Sequence, residues 1–291
     1  MTPRLATRGS ALALAQARSI ADLLGEAKLV EVSSDGEPGD KARFVRGVER
    51  ALLAGEADIG VHSAKDVPSQ VPEGLVLAGA PARVDPADAW VGEAGSLESV
   101  PDRAHVGTAS LRRRSQLLAA RPDLRVEDLH GNVDTRLRRL AEGGFDGIVL
   151  AAAGLERLGR EDAIAFRIPA SRMTPAAGQG IIVLQARADD EPARDVAARI
   201  SDDDALTELT AERAVVGILD ASCATPIGVH AQVSEDRLSI DAYVGLADGS
   251  EWIRDRLEGD AAEPAAAGEE LAQRLLAAGA ADVLERAGAA A

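Results

Sequence analysis

The sequence predicts an α/β protein of two lobes with mixed, mostly parallel sheets, followed by a small α+β domain. Three observations predict it. Residues 1 to 80 alternate short apolar strands with helices. The same alternation restarts after a proline-flanked segment, "PARVDPADAWVG". Past "DALTELTAERAVVGILDA" the rhythm changes to strands joined by tight turns, closed by an Ala- and Leu-rich helical stretch. Alternation of this kind argues for parallel sheets covered by helices, and the last part for a segregated α+β unit.

In order, "PRLAT" reads as a strand, and Ser10 can cap a helix over "ALALAQARSIADLL" that Gly25 ends. "KLVEVS" is a strand, "DGEPGDKA" a polar loop, and "RFVRGVERALLAGE" a helix with apolar residues at helical spacing. "ADIGVHSA" and "LVLAGA" are strands. The second round runs "AHVGT", "SLRRRSQLLAAR", "RVEDLH", "NVDTRLRRLAEG" and "DGIVLAA", strand and helix in turn. "TPAAGQGIIVLQAR" leads through glycines into an apolar strand that can carry the chain back to the first lobe. After the long helix come the loop "SCATPIG" and strands turning at "SEDR" and "ADGS".

Composition removes several function classes. The chain has 291 residues, 48 acidic against 32 basic, and a net charge of −16. Nucleic acid is not an expected partner, because phosphate binding wants a basic face. No apolar run approaches a membrane span, and the N-terminus lacks a signal-peptide layout, so a cytosolic protein is expected. Just three lysines occur, Lys28, Lys41 and Lys65. An acidic, lysine-poor, alanine-rich chain suggests a salt-loving source, a halophilic archaeon, where high ionic strength screens the surface carboxylates. One cysteine, Cys223, excludes an internal disulfide. His62, His105, His130 and His230 show no metal-binding spacing, so no metal is expected.

Open parallel sheets bind ligands beyond the carboxyl ends of their strands. Arg8 and Ser10 follow the first strand; Ser110, Arg112 and Arg113 follow "AHVGT"; Asn132 and Arg136 follow "RVEDLH". Each set sits at a helix start, where free N–H groups hold anions and arginine adds a bidentate fork. Taken singly, each arginine could instead pair with a surface carboxylate. As a set they point to a ligand with several negative groups, and Arg157 in "GLERLGR" adds to it. "ADIGVHSA" delivers Lys65 and Asp66 to the same kind of strand end, where the carboxylate can accept ligand N–H groups or stabilise a cation. Cys223 lies in a loop of small residues, which gives a thiol reach and access.

These motifs resemble the hydroxymethylbilane synthase, or porphobilinogen deaminase, family. The matching stretches are "ATRGSALALAQA", "ADIGVHSAKDVP", "VGTASLRRR", "GNVDTRL", "AAAGLERLG", "AAGQG" and "TAERAV…SCATPIG", in family order from residue 5 to about 228. The resemblance implies a transferase of porphyrin and heme biosynthesis. It would link four porphobilinogen molecules into hydroxymethylbilane, releasing ammonia, on a dipyrromethane held by thioether to Cys223. It implies Asp66 as the catalytic carboxylate. Lys65, Thr108, Ser110, Arg112 and Arg113 would be cofactor ligands, and Arg8, Ser10, Asn132, Arg136 and Arg157 substrate ligands. Lys41 and Phe44 would belong to a loop over the cleft. The lobes would be similar in architecture to periplasmic binding proteins. Domain 1 would be residues 1–82 with 185–205, domain 2 residues 86–180, and domain 3 residues 207–291. A monomer is expected. This chain departs from the family pattern at His130, where an arginine is usual, and at Ala221 and Ser222, where glycines precede the cysteine. Its loop "DGEPGDKARF" is also more acidic. The rival reading is a non-catalytic two-lobed binding protein for a polycarboxylate.

Overall fold

Two five-stranded sheets and one three-stranded sheet organise the chain, and a computed structural model describes residues 2–33, 43–220 and 225–289. In the first sheet β1 (Arg4–Arg8) lies between β2 (Lys28–Val32) and β3 (Ile59–Ser63), parallel to both. The chain returns much later as β10 (Ile182–Arg187), antiparallel to β3 and to β4 (Leu75–Gly79). The order is β2-β1-β3-β10-β4. Four of its strands therefore run one way and β10 the other.

The second sheet repeats this plan with β5 (Asp88–Gly92), β6 (His105–Gly107), β7 (Arg125–Glu127), β8 (Gly147–Ala151) and β9 (Phe166–Ile168), in the order β7-β6-β8-β5-β9. Here β6, β7 and β8 take the places of β1, β2 and β3, and β5 takes that of β10. The reversed strand in each sheet is the one arriving from the other sheet: β5 follows β4, and β10 follows β9. The chain thus crosses twice between two lobes of one topology, as the sequence predicts.

Local chemistry explains the helices. In α1 (Ala11–Leu24), Ser10 accepts a hydrogen bond from Ala13 N at 3.3 Å, and Gly25 ends the helix at φ 80°. It buries Ala13, Gln16, Ala17 and Ile20, the spacing of one helical face. α2 (Arg43–Leu53) buries Val45, Val48, Ala51 and Leu52. In the second lobe Ser110 caps α3 (Leu111–Ala120) and Asn132 caps α4 (Val133–Ala141). The short α5 (Ala152–Arg157) follows β8 directly.

The third unit is an antiparallel meander of β11 (Ile227–Ser234), β12 (Arg237–Gly245) and β13 (Trp252–Asp260), packed with α7 (Asp203–Ile218) and α8 (Pro264–Ala277). Leu238, Ile240, Ala242 and Val244 alternate along β12 into one core with Val215, Leu271 and Leu275. Each Leu, Ile or Val among them contributes about 1.5–3 kcal/mol on burial. The terminal helical stretch is two helices, α8 and α9 (Ala280–Ala289), which break at Gly279, φ 98°. β9 and α6 (Glu191–Ala198) are additions to the sequence reading. β9 is three residues long and shows no periodicity. α6 is capped by Asp190 and carries a proline in its first turn. Among the described residues no helix is long and apolar enough to cross a membrane.

Candidate active site

The floor of the site is a buried carboxylate. Asp88 opens β5 at 0% exposure. Arg112 Nη1 and Nη2 donate to its two oxygens at 2.7 and 3.1 Å. Arg113 Nε and Nη2 reach Oδ1 at 2.9 and 2.8 Å, and Gln179 Nε2 reaches the same oxygen at 2.9 Å. Burial pushes the Asp88 carboxyl up, but the charges of Arg112 and Arg113 outweigh it and hold it well below the usual carboxylate range. Both arginines stand in the first turn of α3 because Ser110 starts the helix there, accepting from Arg113 N. Arg112 also donates to Thr174 O and Arg113 to Val149 O.

Gln179 joins the two lobes. Its Oε1 accepts from Lys65 Nζ at 3.3 Å, while its Nε2 donates to Asp88 and to Pro86 O. Lys65 lies in a single 3-10 turn, Ala64–Asp66, directly after β3. The chain Lys65–Gln179–Asp88–Arg113 therefore runs from the end of a strand in the first sheet to the first turn of α3 in the second lobe. Burial, then repulsion by Arg113, pushes the Lys65 ammonium down to about 8, against the pull of Asp66 and Asp88. Asp66 is partly exposed beside Lys65, and among the described residues no hydrogen bond reaches its carboxylate. Gly178 packs against this turn at φ 73°, where a Cβ would fall 2.8 Å from Ala64 Cβ and 2.9 Å from Lys65 N. Only glycine tolerates both the conformation and the approach.

Two of the remaining candidates connect to this core, Arg136 through the charge of Arg113 and Arg157 through Gly180. Arg136 Nε donates to Gly131 O, and burial plus repulsion by Arg113 lowers its pKa to about 10. Arg157, the last residue of α5, donates to Gly180 O at 2.7 Å, one residue past Gln179, and burial lowers it to about 10. Thr108 is buried, and its hydroxyl accepts from Ser110 N at 3.3 Å. Arg8 ends β1 and its charge reaches His62, which burial first and then Arg8 push down to about 4, against its hydrogen bond to Gln185. Ser10 and Asn132 serve as helix caps. His130 is exposed, its Nε2 3.7 Å from Asp128 Oδ2. Lys41, Cys223 and the side chain of Phe44 lie outside the described residues.

Two findings differ from the sequence expectation. Arg112 and Arg113 are not wholly free for a ligand, because Asp88 already binds both. Asp88 and Gln179 are themselves site residues that sequence reasoning passed over. The available signal was an aspartate opening an apolar strand, "DAWV", which needs a partner when buried. Lys65, Arg112, Arg113 and Arg136 against Asp88 and Asp66 leave cations in excess. Such a charge balance suits a ligand bearing several carboxylates next to the Asp66 carboxylate. A groove of about 610 Å³ between β13 and α9, lined by Trp252, Asp282 and Arg286 among others, is separate and holds none of these groups. Among the described residues no group of three His, Cys, Asp or Glu side chains could hold a metal ion.

Known proteins match this chain over nearly its full length. Residues 4–195 match the family model described as "Porphobilinogen deaminase, dipyromethane cofactor binding domain". Residues 206–277 match "Porphobilinogen deaminase, C-terminal domain". A porphobilinogen deaminase of Roseiflexus castenholzii is 43% identical, over 94% of this chain and 96% of its own length. Those of Brevibacillus brevis and Deinococcus radiodurans are 40% and 41% identical, over 97% and 98% of this chain and 96% and 98% of theirs. Among solved structures, the VFT2 domain of Bordetella pertussis BvgS overlaps 68% of this chain and 86% of its own at a TM-score of 0.41 and 14% identity. The strand order, rather than that overlap, carries the two-lobed reading. The chain belongs to the porphobilinogen deaminase family.

Proposed function

We propose that the cluster around Asp88 and Asp66 is where this enzyme joins four porphobilinogen units head to tail into hydroxymethylbilane, with Asp66 as the catalytic carboxylate. The observation that supports this most is the Asp66 carboxylate, which accepts no hydrogen bond among the described residues, set beside cations that outnumber the internal anion. Those residues fit a dipyrromethane, whose acetate and propionate groups would supply the missing negative charge. When bound, that group supplies the pyrrole end to which new units are added.

In this reading Lys65, Thr108, Ser110, Arg112 and Arg113 hold the cofactor's carboxylates, and Cys223 is its point of attachment. Arg8, Ser10, Asn132, Arg136 and Arg157 hold and orient the incoming dicarboxylate. Lys41 and Phe44 belong to the segment over the cleft. Asp66 accepts hydrogen bonds from pyrrole N–H groups. As the C–N bond to the leaving ammonia breaks, positive charge spreads into the ring and the fixed carboxylate stabilises it. Stabilising charge that develops in the transition state is what raises kcat. The family match disfavours the rival of a non-catalytic binding protein.

The same proposal takes residues 1–82 with 185–205, 86–180 and 207–291 as three domains. It places the protein in the cytoplasm as a monomer without membrane or nucleic-acid partners, and in a halophilic archaeon. The excess of 48 acidic over 32 basic residues supports operation at high ionic strength. Ammonia release measured across a potassium chloride series checks that part.

The central test is the intact mass of the purified protein beside Cys223→Ala, before and after incubation with porphobilinogen. A dipyrromethane increment in the wild type, absent from the variant, is expected. A bare-chain mass after incubation would refute the attachment. Asp66→Ala is expected to lower turnover roughly 100-fold or more, the scale for removing one electrostatic stabiliser. Wild-type turnover in that variant would remove Asp66 from the chemistry.

A further inference from the structure

We infer that Arg213, on α7 of the third unit, is a positioning residue for Asp66. The inference rests on the reading of Asp66 as the catalytic carboxylate.

The segment holding Asp66 is fixed unequally on its two sides. Before it, β3 is locked into the first sheet, Ala64 N donates to Ile181 O, and Gly178 packs on the turn. After it the sheet gives no support. Val67 N closes the turn on Ala64 O, and among the described residues the next backbone hydrogen bond along the chain is Leu75 N to Pro72 O. Pro68 and Pro72 cannot donate at all. The carbonyls of this stretch need partners, Val67 above all, since it is buried.

Arg213 supplies them. Its Nη1 donates to Val67 O at 3.3 Å, and its Nη2 to Pro68 O and Ser69 O, both at 2.8 Å. Among the described residues no carboxylate pairs with this guanidinium, and burial lowers its pKa. A half-buried arginine satisfied by three consecutive carbonyls is a clamp on backbone rather than an ion pair. The preceding residue, Glu212, accepts from Gly178 N, the glycine that packs against the same turn. Two successive residues of α7 thus hold the surroundings of the Lys65–Asp66 turn, Arg213 the segment that follows it and Glu212 the glycine packed against it. Cys223 follows α7 within a few residues in the sequence, so the helix leading to the proposed attachment point also sets the carboxylate's position.

The test compares Arg213→Gln, Arg213→Lys and Arg254→Gln. Arg254 is a matched control: it too ties the third unit to backbone carbonyls, those of Ala170 and Ser171, but away from the turn. Arg213→Gln is expected to lower kcat roughly 10- to 100-fold, the cost of small misplacement of a catalytic group, with KM changed less than about 2-fold. The cofactor mass stays. Arg213→Lys, with three donors, recovers part of kcat. Arg254→Gln lowers the melting temperature but keeps kcat. In an Asp66→Asn background Arg213→Gln has no further effect on the residual rate. If Arg213→Gln loses only melting temperature, as Arg254→Gln does, the inference fails and the Asp66 reading stands. A rise in KM at constant kcat also overturns it, since that marks a ligand contact. Wild-type protein that releases no ammonia from porphobilinogen would overturn the underlying reading, and this inference with it.

Discussion

Replacing Asp88 by Asn is the most searching perturbation of this site. The substitution keeps the shape and removes one charge. It leaves Arg112, Arg113 and Lys65 without their internal anion, and turns an amide N–H₂ toward two guanidinium groups that also donate. Asp88 is fully buried and accepts three arginine hydrogen bonds between 2.7 and 3.1 Å, with Arg113 Nη2 in ion-pair contact at 2.8 Å. Breaking a buried pair by removing one partner costs about 3–5 kcal/mol, because the remaining charge is uncompensated. At roughly 2–4 °C per kcal/mol for a chain of this size class, the melting temperature should fall by about 10 °C. A polycarboxylate should restore much of it, since binding stabilises the folded state and the variant has more to gain. Scanning calorimetry of both proteins, with and without citrate, measures this. Citrate should raise the melting temperature of Asp88→Asn more than that of the wild type. A variant that melts within about 2 °C of the wild type and responds equally to citrate would refute the view that Asp88 balances the arginines.

Three further outcomes are expected. Lys65 has a folded pKa of about 8, below its ordinary 10.5, so the unfolded chain binds more protons between those values. Its burial penalty is therefore fully present below pH 8 and relieved as pH rises to 10.5, while anion binding weakens above pH 8; Lys65→Met should flatten both curves. His62, at about 4 against 6.5, works the same way at lower pH: stability falls as pH drops from 6.5 to 4, by about 3 kcal/mol, and urea melts of His62→Gln should lack that slope. Gly178→Ala should cost about 1–2 kcal/mol for the left-handed conformation alone and also displace the Lys65–Asp66 turn. Its kcat should drop more than its melting temperature suggests, and an unchanged kcat would show the turn does not depend on that approach.

Much of the fold is legible because its signals are local. Ser10, Ser110 and Asn132 each cap the helix they introduce, and Gly25 ends one, so those boundaries can be read from single residues. The strand "IIVLQAR" is legible by its apolar run, and its place between β3 and β4 by the need to return. What escapes is set by distance along the chain. Asp88 is one of 48 acidic residues, and nothing near it in sequence marks it as the partner of arginines 24 and 25 positions on. Gln179 meets it across 91 residues. Arg213 meets Val67 across 146, and backbone carbonyls leave no trace in a residue pattern.

The placing of charge has a kinetic consequence. The body carries a net charge of −16, yet Lys65, Arg112, Arg113, Arg136 and Arg157 gather at the site. A dicarboxylate approaching from bulk water meets repulsion first and attraction last. The Debye length is about 10 Å at 0.1 M salt and about 3 Å at 1 M, so added salt removes the long-range repulsion well before it weakens contacts to buried cations. Electrostatic steering normally makes association slow down as salt rises. In this protein encounter is expected to speed up with salt while the lifetime of the bound substrate changes little, which stopped-flow binding across a salt series measures.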